Sequence, residues 1–177
     1  MAKTEDDYSN TRFKLLEAEY FLDQIRKTEN ETDPKPFLFN LSACLTAARS
    51  IVCIMRKEFI PLNKSTNCSS WCDAKETDLN TKGFRDFVDV RDIVVHRKGN
   101  LADDLTTNTS GYIAMYSGNV SVSQPIVVSM NYTQSTSEIG WYWSFQGKNA
   151  RVIDACQRFV GLLSTVVEEC EGKYQWW

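Results

Sequence analysis

With 177 residues, 42% of them hydrophobic and 12% aromatic, the chain is long enough to bury a core and short enough to form one domain. Its formal net charge of -3 excludes a surface that is basic all over, so any nucleic-acid contact has to come from a local patch. No run approaches the roughly 18 consecutive apolar residues of a membrane span, and the start "MAKTEDDYSNTR" is acidic and polar, unlike a signal peptide. The expectation is a cytoplasmic protein without membrane association.

Residues from about 8 to 28 read as a first helix: Leu15, Ala18, Leu22 and Ile25 make one apolar stripe, widened by Phe13, Leu16, Tyr20 and Phe21. "TENETDPKP" ends it with turn residues. A second helix, from about 37 to 59, carries Leu41, Cys44, Leu45, Ala48, Ile51, Val52, Met55 and Phe59 on one wide face, with Arg49, Arg56 and Lys57 outside it. "IPLNKSTNCSS" reads as a loop. A third helix runs from near Ser70 to His96, interrupted around Gly83, with Trp71 as a core anchor near its start.

Beyond Gly99 the texture changes. "GYIAMYSGNVSVSQPIVVSMNYTQSTSEIGWYWSF" is rich in β-branched and aromatic residues, with turn signals at Ser117-Gly118-Asn119 and from Thr133 to Ser137, and predicts a small antiparallel β unit. Pro125 points to an edge strand or a break. From about 148 to 172 the helical period returns with Val152, Ile153, Cys156, Phe159, Val160, Leu163, Val166 and Val167. The predicted fold is mainly α: a four-to-five-helix up-and-down bundle, with a β-rich insertion over 101–146 before the last helix.

Six cysteines and the sequons in "NETD", "NKST", "NCSS" and "NYTQ" raise a secreted, disulfide-bonded reading, which the polar start opposes. Cys44, Cys53, Cys156 and Cys170 fall in apolar periodic segments and read as small core hydrophobes. Cys68 and Cys72 could ligate zinc only beside a second ligand pair, which the neighbouring sequence does not supply. They read as loop or helix-start thiols, and no metal or cofactor is expected.

The stretch "FRDFVDVRDIVVHRKGN" carries the candidate chemistry. As a helix it places Phe84, Phe87, Val88, Val94 and Val95 on an apolar stripe, with Arg91 in the middle. His96, the sole histidine, follows just before Arg97, Lys98 and Gly99, which look like a helix end. Asp92 lies four residues before His96 and can orient the imidazole and favour its protonated form, as does a helix C-terminus. Arg91 supplies a fixed cation able to hold phosphate through paired hydrogen bonds. At about 100° per residue, Arg91 and His96 are separated by roughly 140° around a regular helix. Either the helix loosens before His96 or a second subunit completes the site. The second solution also accounts for an arginine in an apolar stripe, if that stripe is a dimer face around a polar cleft.

Arg91, Asp92, three residues and His96, late in a helix of a helical bundle, resemble the motif of the HEPN superfamily; "LSACLTAARSIVCIMRKEF" is similar to bundle helices of its members. The resemblance covers the helices and not residues 101 to 146, and it identifies 1–177 as a single HEPN-like domain. It implies a two-fold homodimer with both motifs at the interface and, in many members, a metal-independent endoribonuclease. A cognate antitoxin or regulatory protein is the further partner it implies. His96 then acts as base or acid on the ribose 2'-hydroxyl and the leaving oxygen, Arg91 stabilises charge on the phosphate, and Asp92 positions one or both. Arg97 and Lys98 are candidate RNA contacts. The alternative is an inactive HEPN-like scaffold that binds nucleic acid, a nucleotide or protein, in which Arg91 and His96 are structural. Trp141, Tyr142, Trp143 and Phe145 could stack bases, although alternating aromatics in a strand more often pack on a core. The terminal "YQWW" predicts that Trp176 or Trp177 docks on the bundle or on a partner.

Overall fold

The computed structural model describes residues 8–84, 111–115, 126–134, 139–145 and 148–175. Among them are four helices: α1 (Asn10–Thr28), α2 (Lys35–Leu62), α3 (Cys68–Thr81) and α4 (Val152–Lys173). Four strands, β1 (Gly111–Met115), β2 (Ile126–Gln134), β3 (Ile139–Phe145) and β4 (Lys148–Arg151), precede α4. This is the expected helical bundle with a β insertion before its last helix.

Direction alternates along the described helices. Glu58, late in α2, binds Asn10 and Thr11 at the start of α1, so these two run antiparallel. Arg56 of α2 pairs with Asp73 of α3, and Lys75 of α3 with Glu169 of α4. Arg12 with Glu171 at one end, and Glu29 with Arg151 at the other, set α4 antiparallel to α1.

The start of α1 shows how its orphan donors are satisfied. Ser9, in extended conformation, caps the helix by accepting the Arg12 N–H at 2.9 Å, and its hydroxyl donates to Glu171. The Asn10 and Thr11 N–H groups donate to the Glu58 carboxylate at 2.8 and 2.9 Å, while that of Phe13 donates to the Ser9 carbonyl. A carboxylate at this end is also favoured by the helix dipole.

Leu15, Ala18, Leu22 and Ile25 are buried as their spacing predicts, and so are all eight residues expected on the wide face of α2. Phe13, Leu16 and Tyr20 are not part of that core: they are 49%, 39% and 59% exposed, on the side of α1 turned away from its neighbours, and only Phe21 widens the core. Cys53 is likewise exposed, one position past the buried Val52. By length and composition α2 could cross a membrane; here it is a bundle helix with eleven buried residues.

Helix α2 outruns the expected loop, continuing through Ile60 and Pro61 to Leu62. Proline falls in the last turn, so the hydrogen bond it removes is among the last of the helix and the turns before it are untouched. Only residues 63–67 then separate α2 from α3, which begins at Cys68 and ends at Thr81 before Gly83, whose φ of 91° stops the helix. Trp71 is half-buried, packed against the core without being enclosed by it.

The strands form one antiparallel sheet in the order β1-β2-β3-β4, with Tyr132 opposite Trp141 and Trp143 opposite Ala150. Interior strand β2 begins at Ile126, directly after Pro125, which itself lies outside the described residues. Residues 148–151, expected to open the last helix, form β4 instead, and α4 starts at Val152. All eight apolar positions expected on α4 are buried.

Candidate functional site

Arg91, Asp92, His96, Arg97 and Lys98 lie outside the described residues, as do Phe87, Val88, Val94 and Val95 of the same stripe. Phe84 is 5% exposed and meets Phe159 of α4 edge to face, with ring centroids 6.4 Å apart. The Arg158 guanidinium reaches the carbonyl of Lys82 at 3.4 Å. The chain therefore leaves α3 pinned to the first half of α4, seven positions before Arg91.

The sheet is anchored at that same end. Trp141 is buried and stacks on Phe37 at the start of α2, with centroids 5.1 Å apart and planes 15° from parallel. This is the core packing expected of strand aromatics; Tyr142 is half-buried. Beside it Arg151 grips Glu29 with two hydrogen bonds, of 3.2 and 2.6 Å. Glu29 is 4% exposed and sits at the C-terminus of α1, where the helix dipole disfavours a carboxylate. Arg151 offsets both that field and the burial, and the same hydrogen bonds raise its own pKa. The end of α1, the start of α2, the end of α3 and the start of α4 thus lie at one end of the bundle, the end that holds Phe84.

No match to this chain is found among protein-family models, curated proteins or solved structures.

The cysteines are all free, and five of the six are buried. Cys68 and Cys72 lie one turn apart on α3, and Cys170 of α4 lies close to both. Cys44 of α2 and Cys156 of α4 form a second pair, with the Cys44 thiol donating to the Ala18 carbonyl at 3.5 Å. Among the described residues no group of three or more His, Cys, Asp or Glu side chains is placed to hold a metal.

Burial pushes the Cys72 thiol up to about 12 and raises those of Cys68 and Cys170; for Cys156 the bond to Cys44 acts first and burial second. These groups keep protons in the folded chain that the unfolded chain releases above about 9. Stability should therefore fall as pH rises from 9 towards 12, by about 1.4 kcal/mol per pH unit for each thiol that ionises only on unfolding. Thermal melts at pH 7, 9 and 10.5 check this. A flat Tm would contradict it, and Cys72→Ala should give a shallower decline. Added reductant should leave the melts unchanged.

Two of the sequons are engaged in structure. Asn63 is 7% exposed and its amide is fully bonded, while Asn67 accepts the Tyr174 hydroxyl at 2.9 Å. From the terminal stretch, Tyr174 and Gln175 are docked on the bundle; Trp176 and Trp177 lie outside the described residues. Sequence reasoning missed the Glu29–Arg151 pair, the Glu58 cap and the approach of Cys170 to Cys68 and Cys72. Each joins residues far apart in sequence, and periodicity carries no signal for such contacts.

Proposed function

We propose that the chain is a metal-independent endoribonuclease in which His96 transfers protons at the ribose 2'-hydroxyl and the leaving oxygen, Arg91 stabilises the phosphate, and Asp92 positions them. Arg97 and Lys98 contact the RNA backbone. The observation that carries the reading is the Arg-Asp-x3-His spacing in the sequence of a helical bundle, beginning seven residues after Phe84, which packs on Phe159. An acid/base group and a bidentate cation are the groups that cleavage by 2'-hydroxyl attack requires. Arg91→Lys keeps the charge and removes the paired hydrogen bonds, so cleavage of a single-stranded or loop RNA should fall steeply in that variant. Equal rates for both proteins would count against the arginine's role.

The working unit is a homodimer with its two-fold axis near the third helix. The sequence puts Arg91 among the apolar residues Phe87, Val88, Val94 and Val95, a pattern that a partner subunit would cover. Sedimentation at micromolar concentration should give twice the chain mass of 20.3 kDa. A monomer would remove the composite site. A cognate antitoxin or regulatory protein fits the same reading as a further partner, in the cytoplasm.

A second reading, an inactive HEPN-like scaffold, is favoured by the exposed Phe13, Leu16 and Tyr20, spaced along one line of α1 as a partner-binding stripe would be. In a scaffold His96→Ala would weaken the fold or the dimer with no cleavage to lose.

A further inference from the structure

We infer that Asn63, Asn67 and Trp71 form a peptide clamp at the α2–α3 corner, and that the chain's own Tyr174-Gln175 is its resident, releasable ligand. After Lys173 the backbone turns extended, with Tyr174 at φ -129° and ψ 149°. The Asn63 side chain then reads the main chain of Gln175 from both sides: its Nδ2 donates to the Gln175 carbonyl at 2.8 Å, and its Oδ1 accepts the Gln175 N–H at 3.2 Å. The second Nδ2 hydrogen goes to the Phe59 carbonyl at 2.9 Å, which fixes the amide against the end of α2. A primary amide bonded in this way takes the place of a neighbouring strand's peptide group, and it recognises backbone whatever the side chain.

Selectivity comes from the preceding residue. Tyr174 is 8% exposed; its ring meets Trp71 edge to face at 5.5 Å, and its hydroxyl donates to Asn67 Oδ1. Lys75 and Lys173 lie over the Trp71 ring, at 5.6 and 5.7 Å from its centroid, and complete the wall. The ligand class is thus a peptide with a tyrosine followed by a residue offering its N–H and C=O. Beyond the last helical turn the segment is held by the Asn63 and Asn67 hydrogen bonds and by the buried Tyr174 ring, so its local opening exposes that ring while the contacts of α1 with α2 and α4 stay in place.

Amide exchange on the full-length protein, followed by NMR, tests this. The Gln175 amide should exchange faster than those of Leu45 and Leu163 in the core. Tyr174→Phe should speed Gln175 about fivefold, the effect of losing one neutral hydrogen bond, and leave Leu45 and Leu163 unchanged. Excess acetyl-Gly-Lys-Tyr-Gln-amide should speed Gln175 as well, by occupying the opened clamp. The proposal is overturned if Gln175 exchanges only with the core amides, or if neither the variant nor the peptide moves it. It is also overturned if the rate depends on protein concentration, which would make a second copy's segment the occupant.

Discussion

Replacing His96 by alanine should lower RNA cleavage by about 10²- to 10⁴-fold while the chain stays folded. The imidazole is the only histidine in the sequence, so no second one can take over its proton transfer. A histidine contributes up to about 2 kcal/mol even where it caps a helix end, so substitution should shift a melt modestly. The two readouts separate the readings of the site. Lost cleavage with a retained melt and a retained dimer marks a catalytic imidazole, whereas a lowered melt or a dissociated dimer, with turnover unaltered, marks a structural one. Measuring rate, Tm and sedimentation on the same preparation decides between them.

Arg151→Ala should destabilise the fold by about 3 kcal/mol, because it leaves the Glu29 carboxylate buried without its partner. In a chain of this length that corresponds to a fall in Tm of roughly 6–12 °C. The asymmetry of exposure drives the estimate: the Arg151 side chain is 37% exposed, and Glu29 only 4%. The cost therefore comes from the stranded carboxylate. Glu29→Gln in the Arg151→Ala background should recover part of the loss, since a neutral amide is cheaper to bury than a charge. A single-variant cost below 1 kcal/mol would put the pair among surface ion pairs and remove it as the pin between α1 and the β4–α4 junction.

The helical core was legible because its burial follows one face of a 3.6-residue period, as with Leu15, Ala18, Leu22 and Ile25, or the eight residues of α4. Where two apolar stripes adjoin, that rule loses its force. Phe13, Leu16 and Tyr20 are as apolar as their buried neighbours, and only the positions of the other helices decide that they face outward. The segment from Ile60 to Leu62, expected as loop, stays helical, since a proline in a last turn leaves most of the helix's hydrogen bonds in place. Strand β4 is the polar run Lys-Asn-Ala-Arg, without the alternation that reveals a strand, and its pairing with β3 is visible only in three dimensions. The Arg91, Asp92 and His96 pattern is a feature of the sequence alone, since these residues lie outside the described ones; its spacing does not define a geometry, because a regular helix would set Arg91 and His96 roughly 140° apart.

The most direct test of the proposed chemistry is the product left on a defined single-stranded RNA in the presence of excess chelator. Cleavage by 2'-hydroxyl attack, with His96 moving the protons and Arg91 holding the phosphate, predicts fragments ending in a 2',3'-cyclic phosphate, formed by the wild-type protein and not by His96→Ala. Fragments that appear only when a divalent metal is added, or in equal amounts with the His96 variant, would contradict it.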